Sequence, residues 1–256
     1  MIHVFSTPSI IQPSLTKNPH SYPHGKIAKM PIPRNVNRNF FKKWSSEMAY
    51  VLGFIFADGY IQINSRGSSY FCFDSTDKEI VLKIRKVLSS NHKIRKRFRS
   101  IKNPKWKDSY ILQIGGVEFV RDLHKLGVIR NKSLKIAFPK VPPKFLGHFV
   151  RGYFDGDGCV HLGRYFRKDR NNWKWQFSVN FTSGSRKFLF GLWKSLKQYV
   201  HGGRIGRKTR GYELVFSQND SIALFKLMYN NTQANLVLSR KLAIFKKAIE
   251  IMIMRA

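Results

Sequence analysis

Two stretches of the chain share one sequence pattern: Val51-Leu52-Gly53-Phe54-Ile55-Phe56-Ala57-Asp58-Gly59 and Val150-Arg151-Gly152-Tyr153-Phe154-Asp155-Gly156-Asp157-Gly158. Each is an apolar, helix-like run with small residues four positions apart, and each ends in an Asp followed by a Gly. The terminal aspartates lie 99 positions apart, which is about the length of one small domain. A repeat of this length predicts two similar halves rather than a solenoid of short repeats.

The aspartate that ends each predicted helix stands in an unfavourable place. A helix C-terminus carries unpaired carbonyl oxygens and the negative end of the macrodipole, so a carboxylate there costs a few tenths to about 1 kcal/mol. Gly59 and Gly158 account for the helix ends, because glycine adopts a left-handed cap at little cost. They do not account for the aspartates. A divalent cation does, since carboxylate and carbonyl oxygens are ligands for Mg²⁺ and Ca²⁺.

Small residues recur along one face of each predicted helix, as Ala49, Gly53 and Ala57 in the first and Gly152 and Gly156 in the second. Each glycine costs about 1 kcal/mol in helix propensity, which indicates a packing requirement. Small side chains let two helix backbones approach closely. If the two helices pack in parallel, their terminal carboxylates meet and repel. Bound metals would relieve this repulsion and create a two-metal site for phosphodiester chemistry.

Composition indicates a polyanionic partner. The 256 residues include 47 Lys and Arg against 14 Asp and Glu, a net charge of +33, where a small domain typically needs a charge of about 2–8 in magnitude. Nucleic acid is the natural partner for this excess, and a membrane surface is a weaker alternative. No apolar run approaches the roughly 20 residues of a membrane span. Cys72 and Cys159 belong to no C-x-x-C unit, which disfavours disulfide or zinc scaffolds and agrees with an intracellular protein, in a bacterial cytoplasm or an organelle.

The chain divides into three parts by pattern. Residues 1–43 are rich in Pro, Lys and Arg and predict a mostly irregular basic arm, which either wraps nucleic acid or is a loose terminus. Residues 44–141 and 142–256 each predict the order helix, hairpin, helix, hairpin, helix, an α+β plan. The stretch from Trp173 to Thr182 alternates apolar and polar residues, which predicts a strand with Trp173 and Trp175 on its core face and a polar wall opposite.

Both quoted stretches resemble the LAGLIDADG motif of homing endonucleases in its single-chain, two-repeat form, over roughly Trp44 to Ala256. The resemblance implies two pseudo-symmetric domains, each an antiparallel four-stranded saddle sheet with helices on one face, joined at the paired motif helices. It also implies that the last Asp of each motif binds metal together with a neighbouring backbone carbonyl. The ligands here are then Asp58 and Asp157, with the carbonyls of Ala57 and Gly156. The copies differ at the sixth position, where the first copy has Phe56 and the second Asp155, and we expect a structural role for Asp155.

Members of this family also hold a basic residue, often Lys, near the metals. Lys132, in Asn131-Lys132-Ser133, and Arg240 or Lys241, in Ser239-Arg240-Lys241, occupy similar places late in each half, and we assign Lys132 and Lys241 as catalytic. Polar and basic strand residues are expected to contact base edges and phosphates. They are Gln62, Asn64, Arg66, Arg95, Arg97, Lys174, Gln176, Ser178, Asn180, Arg204, Arg207, Lys208 and Arg210.

The resemblance implies a monomeric, site-specific endonuclease on double-stranded DNA. Two or three Mg²⁺ ions, replaceable by Mn²⁺, would support a double-strand break in a long asymmetric target, which promotes mobility of the encoding intron or intein. One alternative is a maturase that binds its own intron RNA on the same fold. Another is a non-catalytic DNA-binding regulator, which would be expected to lose one motif Asp and to carry an added helix-turn-helix.

Overall fold

The computed structural model describes residues 34–230 and 236–254. Most of the predicted basic arm, residues 1–33, therefore lies outside the described residues. Residues 34–43 pack against the first half of the chain. Phe41 is only 4% exposed and meets Phe119 edge to face, with ring centroids 5.0 Å apart. The Asn37 N–H donates a hydrogen bond to the carbonyl oxygen of Leu88 at 2.9 Å.

The first half begins with a capped helix. The Ser45 hydroxyl oxygen accepts a hydrogen bond from the Met48 N–H at 3.1 Å, and Glu47 lies in the positive first turn. The sequence pattern does not predict the last helix of this half, Lys132–Lys135, because a single turn is too short to show helical periodicity. The elements of this half are α1 (Ser46–Asp58), β1 (Gly59–Ile63), β2 (Ser69–Ser75), α2 (Lys78–Val87), β3 (Ile94–Arg97), β4 (Ser109–Gly115), α3 (Val117–Lys125) and α4 (Lys132–Lys135).

The second half repeats this order, with a longer first hairpin and longer last two helices. A 3-10 turn, Pro143–Phe145, leads directly into its first helix, and the Ser185 hydroxyl caps the second helix by accepting from the Phe188 N–H at 3.2 Å. Its elements are α5 (Leu146–Asp157), β5 (Gly158–Arg167), β6 (Asn172–Ser183), α6 (Arg186–Leu196), β7 (Arg204–Lys208), β8 (Gly211–Phe216), α7 (Gln218–Tyr229) and α8 (Ser239–Ile253).

Each half contains one antiparallel four-stranded sheet. The strand orders are β1-β2-β4-β3 and β5-β6-β8-β7, so the second sheet repeats the topology of the first. The predicted α+β plan of two four-stranded halves is confirmed. No helix within residues 34–230 and 236–254 is long and apolar enough to cross a membrane.

The helices α1 and α5 join the halves through their glycines. A Cβ built on Gly53 would lie 2.0 Å from the carbonyl oxygen of Phe149, and one built on Gly152 would lie 2.0 Å from that of Tyr50. Real Cβ atoms essentially never come closer than 3.0 Å to such atoms. The small residues therefore permit backbone contact, as their spacing predicts.

The glycines that end α1 and α5 act differently from the expectation of a left-handed cap. Gly59 has φ −83° and ψ 153°, and Gly158 has φ −92° and ψ 160°, both extended conformations open to any residue. The requirement is space. A Cβ on Gly59 would lie 2.9 Å from the Cα of Ile55, and one on Gly158 would lie 2.6 Å from the carbonyl oxygen of Phe154. At both places the chain turns from helix into strand so tightly that only glycine fits.

The start of β6 leaves the core, which corrects the expectation for its tryptophans. Trp173 is 59% exposed and Trp175 is half-buried, whereas Phe177 is buried as predicted. The hairpin of β5 and β6 extends beyond the elements that cover the rest of the sheet. The Arg164 guanidinium lies 5.3 Å and 5.6 Å from the ring centroids of Trp173 and Trp175.

Candidate active site

The ends of α1 and α5 bring Asp58 and Asp157 together, as the two copies of the motif predict. A Cβ built on Gly156 would lie 2.3 Å from the Cβ of Ala57 and 3.4 Å from the Oδ2 of Asp58. Burial raises the pKa of Asp58 to about 7, and the nearby Asp157 carboxylate adds to the rise. Burial also raises the pKa of Asp157. Two carboxylates share a confined space at the base of the two sheets, since β1 and β5 begin at the next residue.

A buried lysine side chain donates hydrogen bonds to the last carbonyl groups of each of these helices. Lys132 is 9% exposed and its Nζ donates to the carbonyl oxygens of Phe56 and Ala57, each at 2.6 Å. Burial lowers the pKa of Lys132 to about 8. An ammonium group at a helix C-terminus is favoured by the unpaired carbonyls and by the negative end of the dipole.

Lys241 makes the matching contacts in the second half. It is 8% exposed, and its Nζ lies within hydrogen-bond distance of four carbonyl oxygens, which share its three N–H donors: those of Phe154 and Asp155 at 2.8 Å, of Gly156 at 3.0 Å and of Gly158 at 2.7 Å. Burial lowers its pKa. Lys132 and Lys241 thus flank the aspartate pair from the two halves.

The geometry supports the assignment of Lys241 over its neighbour Arg240, the other candidate in Ser239-Arg240-Lys241. The Arg240 guanidinium is bound by the carboxylate of Asp77 on the outer surface, through Nε at 2.8 Å and Nη2 at 2.7 Å. Only Lys241 reaches the end of α5.

The unequal sixth positions of the two motifs have different environments. Asp155 is buried, and its Oδ2 accepts hydrogen bonds from the Tyr50 hydroxyl at 2.6 Å and from the Leu238 N–H at 2.9 Å. At the equivalent place in the first half, Phe56 packs edge to face on Phe149, with ring centroids 5.5 Å apart. Asp155 therefore makes hydrogen bonds within the protein core, away from the paired carboxylates, which agrees with the structural role expected for it.

The first sheet carries part of the predicted DNA-contacting set on its polar face. Strand register places Gln62 opposite Tyr70, and Arg95 and Arg97 opposite Ile111 and Ser109, all on the face away from Phe71 and Phe73. Arg97 forms an ion pair with Asp74 at 2.7 Å. Gln62, Arg95 and Arg97 are exposed on this face, whereas Cys72, Ser109 and Ile111 beneath them are buried.

Asn64 and Arg66 lie in the turn between β1 and β2 rather than on a strand. The Asn64 Oδ1 accepts from the N–H groups of Arg66 at 3.0 Å and Ser68 at 2.8 Å. Asn64 therefore shapes this turn, while the Arg66 side chain is exposed.

The second sheet presents a longer polar face. Register gives this face the predicted residues Lys174, Gln176, Ser178, Asn180, Arg204 and Lys208. Arg207 is the exception. It stands opposite Tyr212, on the same face as Ile205 and Leu214, so it points away from the polar surface. The sequence indicates this placement, because Arg207 is two residues from Ile205 and alternate residues of a strand lie on the same face. Arg210 lies in the turn between β7 and β8.

The strand register adds residues that the sequence analysis leaves out of the DNA-contacting set. Tyr60 and Gln113 share the polar face of the first sheet, and His161 and Tyr165 share that of the second. Gln113 already binds the Arg95 side chain. Partner strands identify these residues, since a residue shares its face with the residue directly opposite.

Two family models match this chain, one to each half. Residues 45–127 match the model described as a LAGLIDADG-like domain, and residues 150–252 match the LAGLIDADG endonuclease model. The chain belongs to the LAGLIDADG endonuclease family. Each match falls within one of the two halves that the repeated motif predicts.

Solved LAGLIDADG structures share the fold at low sequence identity. The meganuclease I-AabMI bound to uncleaved DNA is 13% identical with a TM-score of 0.56, covering 80% of this chain and 91% of that one. The homing endonuclease I-LtrWI bound to target DNA is 13% identical with a TM-score of 0.57, covering 85% and 92%. I-SmaMI bound to uncleaved DNA in the presence of calcium ions is 14% identical with a TM-score of 0.58, covering 83% and 92%.

The donor set at the LAGLIDADG helix ends fits a hard divalent cation. Asp58 and Asp157 supply carboxylate oxygens beside the carbonyls of Ala57 and Gly156, which are oxygen ligands of the kind that Mg²⁺ and Ca²⁺ prefer. Each carbonyl already accepts a lysine hydrogen bond, but a carbonyl oxygen has two lone pairs. Within residues 34–230 and 236–254 no three His, Cys, Asp or Glu side chains cluster as a metal cage. A cation here would therefore also need water or phosphate oxygens.

Proposed function

We propose that this LAGLIDADG protein is a Mg²⁺-dependent, site-specific DNA endonuclease that makes a double-strand break in a long asymmetric target. The observation that carries the proposal is the meeting of Asp58 and Asp157 at the ends of two helices in backbone contact. Each aspartate directly precedes the first strand of a sheet with an exposed polar face. The net charge of +33 supports a polyanionic substrate.

The residues at the site have distinct roles in this proposal. Asp58 and Asp157, with the carbonyls of Ala57 and Gly156, would hold Mg²⁺, which supplies activation of water and stabilisation of the leaving 3′ oxygen. Through the cation that they would hold, the two carboxylates would act on the scissile phosphates of the two strands, which face each other across the minor groove. Lys132 and Lys241 place positive charge beside the phosphates as negative charge develops in the transition state.

Recognition in this proposal comes from the polar faces of the two sheets in the flanking major grooves. The faces carry different side chains, for example Arg95 and Arg97 in the first and Lys174 and Gln176 in the second. Different side chains read different base edges, so the target is asymmetric. One chain supplies both aspartates and both faces, which supports a monomer. The break would promote mobility of the intron or intein that encodes the protein.

Selection from a randomised duplex library, in Mg²⁺ and separately in Ca²⁺, tests the activity. We expect cut ends in Mg²⁺ and intact, selectively bound duplexes in Ca²⁺. Asp58→Asn and Asp157→Asn should each abolish double-strand cutting and keep binding in Ca²⁺. Glu250→Gln, the same chemical change at an exposed position on α8, should cut as the natural chain does.

Three outcomes would contradict parts of the proposal. Selective binding without cutting in any divalent metal would instead favour a DNA-binding regulator. The absence of both cutting and selective binding would direct attention to intron RNA as the ligand. Retained cutting by both aspartate variants would overturn the assignment of the site.

A further inference from the structure

We propose that Asp155, Tyr50 and Arg151 are positioning residues that fix Lys241 at the end of α5. Lys132 is held by other contacts, so cleavage of only one DNA strand should depend on these three residues. This inference rests on the proposed endonuclease function. It concerns a buried polar cluster that lies behind the aspartate pair and contacts neither the substrate nor the reacting atoms.

The segment that carries Lys241 is held at every residue from 236 to 241. Its backbone is bound at three consecutive residues: the Leu236 carbonyl accepts from Arg151 Nε at 3.1 Å, the Val237 carbonyl accepts from Lys83 Nζ at 2.9 Å, and the Leu238 N–H donates to Asp155 at 2.9 Å. Leu238 is also the N-cap residue of α8. The backbone that begins this helix is therefore fixed by contacts from both halves.

The side chains that follow complete this attachment. The Ser239 hydroxyl donates to Glu79 at 2.5 Å, and the Arg240 guanidinium binds Asp77. Lys241 comes next, in the first turn of α8, and reaches four carbonyls at the end of α5. The position of its Nζ thus depends on where the first turn of α8 is held.

Asp155 and Arg151 form the inner side of this attachment, one helical turn apart on α5. Both are 2% exposed. Arg151 also donates to the Met228 carbonyl at 2.7 Å, and its guanidinium lies 5.2 Å from the centroid of the Tyr50 ring. The Tyr50 hydroxyl donates to the same Asp155 oxygen that accepts from Leu238. Buried polar groups of this kind are costly unless they are paired. Asp155 Oδ1 has no hydrogen-bond partner among the described residues, so the attachment depends on Oδ2, which ties Tyr50 to Leu238.

The pseudo-symmetric counterparts of this cluster, beside Lys132, are apolar. By the motif repeat, Leu52 and Phe56 of α1 correspond to Arg151 and Asp155 of α5, and Phe149 of α5 corresponds to Tyr50 of α1. The Lys132 segment is attached by other means: the Ser185 hydroxyl donates to the Ile136 carbonyl at 2.6 Å, and Gly184 lies against the Ser133 carbonyl. Loss of the polar cluster should therefore disturb Lys241 and leave Lys132 in place.

Tyr50→Phe tests this dependence with little risk to folding, because phenylalanine already occupies the equivalent position on α5 as Phe149. Cleavage of each DNA strand is followed separately with two end labels in Mg²⁺. Lys241→Met and Lys132→Met first show which strand each lysine serves. We expect Tyr50→Phe to slow the Lys241 strand by roughly 10-fold or more, the loss typical of residues that orient a functional side chain. The other strand should be unaffected, so that nicked duplex accumulates.

A second measurement needs neither DNA nor metal. Amide hydrogen exchange in the segment 236–242 should become faster in Tyr50→Phe and in Asp155→Ala. Asp155→Asn keeps an acceptor for the Leu238 N–H and should exchange more slowly than Asp155→Ala. Tyr229→Phe is the matched control, since its buried hydroxyl has no hydrogen-bond partner among the described residues. This control should leave exchange and both strand rates unchanged.

The outcomes separate the two proposals. A natural chain that cuts no DNA, while exchange responds as expected, would overturn the endonuclease function and keep the structural role of the cluster. If Tyr50→Phe slows both strands equally, slows only the Lys132 strand, or changes neither rate nor exchange, then the positioning role is wrong although the enzyme is active.

Discussion

Gly53 of α1 lies against the carbonyl oxygen of Phe149 of α5, so close that a Cβ on Gly53 would come within 2.0 Å of it. Gly152 stands in the same relation to the Tyr50 carbonyl oxygen, also at 2.0 Å. These reciprocal contacts set the separation of the two helices. Because the helices end at Asp58 and Asp157, the same contacts set the separation of the carboxylates.

The first prediction concerns this helix pair. Gly53→Ala should lower the free energy of unfolding by about 3 kcal/mol or more, since overpacking against a backbone carbonyl forces the helices apart. The gain of about 1 kcal/mol in helix propensity cannot offset this. Urea denaturation measures the change. Gly206→Ala is the control, because its Cβ would come only within 3.9 Å of Glu213, and it should fall within about 0.5 kcal/mol of the natural chain. An unchanged Gly53→Ala would mean that the helices do not meet through these glycines.

A second prediction concerns metal binding without DNA. Saturating Ca²⁺ should raise the Tm of the natural chain, because a ligand at 100 times its Kd stabilises the folded state by about 2.7 kcal/mol. For a chain of this size that corresponds to roughly 5–10 °C. Asp58→Asn and Asp157→Asn should each lose most of this shift, and Glu250→Gln should retain it. A shift of equal size in the double variant Asp58→Asn, Asp157→Asn would place the ion elsewhere.

The third prediction concerns the ion pair that holds α8 to α2 from outside. The Arg240 guanidinium hydrogen-bonds Asp77 and lowers the pKa of that carboxyl below its usual value. A carboxyl with a lowered folded-state pKa stabilises the fold above the unfolded pKa of about 3.9, and this contribution is lost as the pH falls through the folded value. The pair is partly exposed, so its contribution is small.

Asp77→Asn should therefore lower the free energy of unfolding at pH 7 by about 0.5–1 kcal/mol, and the difference should shrink as the pH falls below about 4 and vanish once the pH is below the lowered pKa of the folded state. Asparagine is a comparable N-cap residue for α2, so the substitution isolates the charge. Denaturation of Asp77→Asn, Arg240→Met and the double variant, measured from pH 7 to about pH 2, gives the coupling of the pair. A coupling that does not decrease as the pH falls below about 4 would show that the interaction is not ionic.

The fourth prediction follows from the unequal hairpins and rests on the proposed DNA substrate. Strands β5 and β6 have 10 and 12 residues, against 5 and 7 for β1 and β2. At about 3.3 Å per residue, five further residues extend the hairpin by roughly 16 Å, or about 5 base pairs at 3.4 Å each. Hydroxyl-radical footprinting should show protection that reaches further from the cleavage site on one side by a few base pairs.

Shortening the longer hairpin identifies that side. Replacement of residues 164–175 by Asn-Gly, which favours a two-residue hairpin turn, should remove the additional protection and leave the other side unchanged. A symmetric footprint in the natural chain, or one that the shortened hairpin does not alter, would show that the exposed tip around Trp173 does not contact DNA.

The sequence alone predicted the features that depend on neighbouring residues. The alternation from Trp173 to Thr182 predicts a strand because side chains of an extended chain point to opposite faces in turn. The same reasoning places Arg95 and Arg97 together on one face. Alternation does not predict the exposure of Trp173 and Trp175, since it gives the face of a residue but not how far the covering layer extends.

What the sequence determined by itself was the repeated motif, the two halves and the excess of positive charge, because each is a property of order and composition along the chain. Only the tertiary structure decided that Gly59 is required for space rather than for a left-handed turn. It also decided that Lys241 rather than Arg240 reaches the site, and that Asp155 anchors the segment before Lys241. The last two depend on contacts between residues more than 80 positions apart. Such contacts arise only when the backbones pack, and no local pattern encodes them.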